Sequence, residues 1–320
     1  MKRKFGLVLA LTSFISLGQV IPDVKVFAEE TQFVKQEQNT IQKELQSSWN
    51  GNITDPDEEI LLQPGETAPL PNWVKEVEKN NNKHMPKNGL TAGNTSFVNQ
   101  LIYMSQHTYE DAPRESWSPG EWQLYRKYTD PDSSFTCHVY RKKYIEESDT
   151  GLYGYTFVFK GTQEGKDWIS NVLQIGANVG GLQAAQAEKY VNDIISSDRS
   201  KIHHVFFTGH SLGGYLAQWI QSEMIDGNMI NGYSYTMTFN APGFSQNLVP
   251  MNSEYKLKVR EKIKRDDKHV YDSYIDNYRI TQDAVSLWGD NLGKVHHYGT
   301  KSWGDPFHLH SLDRFLELNL

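Results

Sequence analysis

Residues 205–214, VFFTGHSLGG, limit what this chain can fold into more than any other stretch. Val205-Phe206-Phe207-Thr208 has the β-branched and aromatic makeup of a short buried strand, and Tyr215-Leu216-Ala217-Gln218-Trp219-Ile220 has the spacing of a helix with its apolar side inward. Between them, Gly209-His210-Ser211-Leu212-Gly213 fits G-x-S-x-G. With a strand before it and a helix after it, such a match is a nucleophile elbow rather than a chance string. The flanking glycines permit the sharp turn, because a Cβ there would collide with neighbouring backbone. The sequence thus predicts Ser211 in a strained conformation at the end of a strand, with its hydroxyl facing solvent. The Leu212 N–H, at the mouth of the new helix, is then placed to bind an anion.

The N-terminal region differs in kind. Residues 1–28 open on Lys2-Arg3-Lys4, run through an apolar stretch and reach Val26-Phe27-Ala28 before Glu29-Glu30. These are the parts of a secretory signal peptide, and the apolar part is too short and interrupted for a spanning helix. A secreted, extracellular protein with no transmembrane anchor is therefore expected. Residues 29–92 are polar and broken by Pro56, Pro64, Pro69, Pro71 and Pro86. They read either as a disordered spacer or as an ordered arm, with Phe33, Ile41, Leu45 and Trp49 spaced for one helix. Residues 93–320 are long enough for one large folded domain. The net charge of −7 disfavours a nucleic-acid partner, and the single cysteine, Cys137, excludes an internal disulfide.

Within that domain, Asn94-Thr95-Ser96 offers helix caps before an apolar face of Phe97, Val98, Leu101 and Ile102. Residues 135–141 and 152–160 read as strands. The second strand runs into Gly161-Thr162. A tetrahedral oxyanion needs two donors, and the Thr162 N–H at a strand end is suited to be the partner of the Leu212 N–H. His203-His204 precede the elbow strand and are expected to face solvent; a histidine pair with no further spaced ligands is not a metal site.

Val158-Phe159-Lys160-Gly161-Thr162 with Asp167-Trp168, then the elbow, then Thr238-Phe239-Asn240-Ala241-Pro242-Gly243 resemble the class 3 lipase family of the α/β-hydrolase superfamily. The resemblance runs from about Phe97 to the C-terminus. It implies an α/β-hydrolase fold, with a mostly parallel central sheet and helices on both faces. It also implies ester hydrolysis on acylglycerols or phospholipids without metal or cofactor, and matches Thr162 to the oxyanion position. That family covers its site with a lid; here 169–182, uncharged and glycine-containing, reads equally as a short lid or as a packed helix and loop.

A serine hydroxyl needs a histidine base and an acid that orients it, in the chain order Ser, Asp or Glu, His. Asp283 follows a strand at Tyr278-Arg279-Ile280 and resembles the family's acid; Asp276 and Asp290 are its rivals. For the base, His310 before the last helix resembles the family's ending. His308 is the alternative, and His296 and His297 stand in reserve. His210 is set aside because its side chain points away from the hydroxyl. Residues 253–268 are highly charged and expected at the surface. The complete set of Ser211, Asp283, His310, Leu212 and Thr162 disfavours an inactive relative, and the resemblance implies a triacylglycerol-lipase type of hydrolase. A phospholipase A, an acyltransferase or a non-catalytic secreted binding protein are the other readings, and the substrate is a lipid ester, taken where fitting at a lipid–water interface. Oligomeric state is not encoded in any motif here.

Overall fold

The computed structural model describes residues 59–83, 96–110, 116–117, 122–144, 151–162, 168–227, 233–244, 253–299, 306–318 and 320, all within a compact unit from Asp55 to Leu320. The leader and the 33–49 helix lie outside the described residues.

In chain order the strands are β1 (Glu59–Leu62), β2 (Ser116–Trp117), β3 (Trp122–Thr129), β4 (Thr136–Lys143), β5 (Tyr153–Phe159), β6 (Ile202–His210), β7 (Tyr233–Phe239), β8 (Ile275–Ile280) and β9 (Lys294–Tyr298). They form one sheet in the order β1-β9-β8-β7-β6-β5-β4-β3-β2. From β1 to β5 all pairings are parallel, and β5 through β2 pair antiparallel. The strands alternate faces because successive side chains point oppositely. On one face, Tyr155, Phe157, Val205 and Phe207 pack under helices α3 (Trp168–Asp198), α4 (Leu212–Gly227) and α5 (Ser253–Asp266). On the other, Val158, Phe206, Tyr235, Met237 and Phe239 meet α1 (Asn72–Lys83), α2 (Phe97–His107) and the C-terminal α7 (Asp313–Glu317). This is the α/β-hydrolase architecture that the resemblance implied.

Local chemistry explains much of it. Ser96 caps α2 by accepting from the Asn99 N–H at 3.2 Å, as its residue type demands. The residues Ala184, Ala187, Val191, Ile194 and Ile195 are buried along α3, which also takes in 169–182 as continuous helix. Residues 253–266 are at the surface but not wholly exposed: α5 turns Tyr255, Val259 and Ile263 inward.

Of the polar segment 29–92, the described part 59–83 supplies β1, which extends the sheet beside β9, and α1, whose Trp73 stacks on Phe206 and Tyr233. Burial lifts the Glu78 carboxyl to about 7, although the Phe97 N–H at the start of α2 donates to it. Trp73 also explains one departure from expectation. His204 does not face solvent; it is buried against Trp73, Phe206 and Tyr144, above Gly154, whose absent Cβ would lie 2.1 Å from its Nε2. A distant aromatic covers it, and nothing in the local sequence announces that.

Burial pushes His204 down to about 3, with His203 and Lys142 acting in the same direction. The unfolded chain therefore takes up that proton between its ordinary value near 6.5 and about 3, and the stability contributed by neutral His204 is lost as pH falls through that window. Wild type is expected to lose more melting temperature between pH 7 and pH 4 than His204→Phe does, as read by circular dichroism; Glu78 works in the opposite sense in both proteins. Equal losses would remove His204 as the source.

Candidate active site

The elbow forms where β6 ends and α4 begins. Ser211 has φ 57°, a left-handed conformation that a non-glycine residue holds only where its surroundings enforce it. Enforcement comes from close backbone packing. A Cβ on Gly209 would lie 2.4 Å from the Gly213 carbonyl carbon, so no other residue fits there. The Ser211 N–H donates to Phe239 O at 3.0 Å, and its carbonyl accepts from the Gly214 and Tyr215 N–H groups at 2.9 and 3.2 Å. Leu212 is the first residue of α4, so its N–H has no acceptor within the helix.

One feature differs from the sequence expectation. Ser211 does not stand open to solvent; it keeps 2% of its surface. Gly161 approaches from β5 so closely that a Cβ on it would be 3.2 Å from Ser211 Cβ and 2.6 Å from His210 O. Half-buried Thr162 follows Gly161 in the chain.

On the other side, His310 ends the short helix α6 (Pro306–His310). Its Nδ1 lies 3.0 Å from both carboxylate oxygens of Asp283, and both residues are buried. Asp283 sits just past β8. Its Oδ1 accepts from the Val285 N–H at 3.2 Å and its Oδ2 from the Ser286 N–H at 3.1 Å, fixing the carboxylate plane. An ionised carboxylate only accepts, so neutral His310 carries its proton on Nδ1 and keeps Nε2 as the basic nitrogen.

The rivals fall elsewhere. His308 is exposed and lies 3.5 Å from Glu317, two residues away in sequence but outside the Asp283 contact. The rival acid Asp276 and the reserve histidine His296 bond one another at 2.8 Å in the core, with the Tyr235 hydroxyl donating to the second carboxylate oxygen. Asp290 pairs through its backbone with Phe244.

Three residues without a role in the sequence reading hold the site together. His210 Nε2 lies 2.6 Å from the His310 carbonyl. A carbonyl only accepts, so that nitrogen donates. Burial first, and the neighbouring His310 second, push His210 well below the usual histidine range, so its ring is neutral and Nδ1 must accept. The donor is the Tyr109 hydroxyl at 2.9 Å, which in turn receives the Gly161 N–H. A single chain of hydrogen bonds thus runs from Gly161 through Tyr109 and His210 to the backbone of His310. Asn240, left-handed at φ 46°, adds a second tie: its Nδ2 donates to the Leu309 and His310 carbonyls at 2.9 and 3.2 Å, and its Oδ1 accepts from the Ile280 N–H at 2.9 Å. The N-A-P-G string after β7 was the available signal for Asn240; Tyr109, 101 residues from His210, gave none.

The sequence family described as Phospholipase-like, Tle-like phospholipase domain, matches residues 99–305. The chain belongs to that family. It is therefore an ester-hydrolysing enzyme of lipase-like kind, as the resemblance implied, and a lipid-hydrolysing one. No curated protein sequence matches it. Among solved structures it is similar to a Rhizomucor miehei lipase propeptide complex, at 14% identity over 75% of this chain and 73% of that one, with a TM-score of 0.40. M37 lipase is similar at 16% identity over 58% and 68%, TM-score 0.40, and a Penicillium expansum triacylglycerol lipase at 10% over 63% and 78%, TM-score 0.39. Among the described residues of this hydrolase, no helix is long and apolar enough to cross a membrane.

The relay yields a direct expectation. Tyr109→Phe leaves the Gly161 N–H and His210 Nδ1 without their shared hydroxyl, and should lower kcat about tenfold, near 1.4 kcal/mol, with a smaller change in KM. Steady-state kinetics on a soluble ester check it; an unchanged kcat would show that the elbow and Gly161 hold their places without Tyr109.

Proposed function

We propose that this enzyme cleaves carboxylic esters of membrane-forming lipids through an acyl-enzyme on Ser211. The observation that carries the reading is the pair His310–Asp283, bonded at 3.0 Å and anchored through the His310 carbonyl to the residue preceding Ser211. In the proposed reaction His310 Nε2 takes the Ser211 proton, the hydroxyl oxygen attacks the ester carbonyl, and the N–H groups of Leu212 and Thr162 hold the oxyanion. The imidazolium then protonates the departing alcohol, and water, activated by the same histidine, releases the fatty acid. Asp283 keeps His310 in the required tautomer and stabilises its cation.

The phospholipase description of the matched family favours a phospholipid over the triacylglycerol that the sequence reading put first. The leader at 1–28, with its basic start and small-residue exit, supports secretion of a domain beginning within the polar segment that follows.

Ser211→Ala is expected to lower kcat by about 10⁴ or more. His310→Ala should match it, and the double variant should be little worse, because members of such a unit do not add. His308→Ala, at an exposed position, should cost about tenfold or less. Near-normal turnover in Ser211→Ala with an unchanged melting curve would end the serine-hydrolase reading, and labelling by a fluorophosphonate probe should report Ser211 alone. Fatty-acid release from phosphatidylglycerol and triolein dispersions, compared side by side, decides the substrate class: faster turnover of triolein would favour the triacylglycerol reading.

A further inference from the structure

Helix α5 carries its charge differently from the rest of the molecule. Acidic residues outnumber basic ones over the whole chain, 39 to 32, whereas across 253–268 the order is reversed. At 3.6 residues per turn these cations divide into two sets. The inner set is matched by acids on neighbouring helices. Lys262, 2% exposed, lies 2.7 Å from Glu223 and 3.1 Å from Asp226, and its ammonium sits over the Trp219 ring. Lys258 is within 3.5 Å of Glu223, and Arg265 within 3.0 Å of Asp226.

The outer set has no such match. Lys256, Arg260 and Lys264 are exposed on the opposite side of the helix. Among the described residues Lys256 and Arg260 have no acidic partner, and Lys264 pairs only with its exposed neighbour Glu261 at 3.0 Å, a contact too solvated to hold it. At the edge of this face, between Lys264 and the exposed Glu254 and Glu261, stands Leu257, 60% exposed. An exposed apolar tip beside a row of three cations complements a surface that is anionic outside and apolar just beneath.

We propose that the outward face of α5 docks the enzyme on a bilayer of anionic phospholipid, with Leu257 entering the headgroup boundary and Lys256, Arg260 and Lys264 meeting phosphates. The proposal rests on the lipid-hydrolase reading for its purpose but not for its geometry. The same helix is tied to the elbow: Tyr255 bonds the Tyr215 hydroxyl at 2.5 Å, and the Tyr215 N–H donates to Ser211 O. Each cation near such a surface strengthens binding about fivefold, so three contribute on the order of 100-fold, less at high salt.

The test is flotation of the full chain with non-hydrolysable ether-lipid vesicles of phosphatidylcholine, with and without phosphatidylglycerol, alongside hydrolysis of soluble p-nitrophenyl butyrate. Wild type should bind the phosphatidylglycerol vesicles preferentially and release them as salt rises. Combined Lys256→Gln, Arg260→Gln and Lys264→Gln should weaken that binding about 100-fold, and Leu257→Ser about tenfold, with soluble-ester turnover unchanged in each. Equal binding by wild type and the triple variant, equal binding to both vesicle types, or retention by heparin without binding to vesicles would overturn the proposal. Loss of soluble-ester hydrolysis in wild type would instead count against the lipid-hydrolase reading, while flotation would still decide the docking face.

Discussion

Everything at the carboxyl edge of the sheet depends on how closely β5 approaches the β6–α4 turn. A Cβ on Gly213 would lie 2.0 Å from Phe159 O, so the first turn of α4 rests directly on the end of β5. That contact keeps Ser211 left-handed and brings Gly161 alongside it; in the proposed reaction the helix-mouth amide of Leu212 and that of Thr162 face the developing negative charge. A backbone fixed this way needs no reorganisation when charge appears, which is why preorganised amides stabilise an oxyanion better than water does.

Opposite this rigid wall, the histidine comes from a five-residue helix near the C-terminus, an element too short to hold a position by its own hydrogen bonds. Its place is set from outside: by Asp283 through the ring, and by His210 and Asn240 through the carbonyl. His210 matters most in this respect because it adjoins Ser211 in the chain. The proposed nucleophile and base are thus referenced to one another through a buried neutral imidazole whose two nitrogens have separate jobs, one donating to His310 O and the other accepting from Tyr109. Burial enforces the neutral state, and the neutral state enforces the direction of the chain.

The buried pair Asp276–His296 is instructive beside this. It has the same two residue types at similar distance, yet it lies inside the core on β8 and β9, across β7 from the elbow strand, with Tyr235 completing the carboxylate's contacts. Pairing an acid and a histidine is therefore not what singles out Asp283 and His310; the bond from the His310 carbonyl to His210, next to the left-handed Ser211, is.

Residues close in sequence made the elbow legible, because its strand, turn and helix signals are local: apolar β-branched run, glycines flanking a serine, then helical spacing. Asp283 at a strand end was legible for the same reason. The sequence put His310 ahead of His308 by resemblance alone; what the fold adds is that α6 turns His310 toward Asp283 and His308 toward Glu317, a difference in side-chain direction within one turn. Burial of Ser211 and of His204, the Tyr109 bond to His210, and the addition of β1 and α1 to the domain were likewise tertiary. Each depends on a group many residues distant, Gly161, Trp73 or Tyr109, closing over a site whose own sequence is indifferent to it.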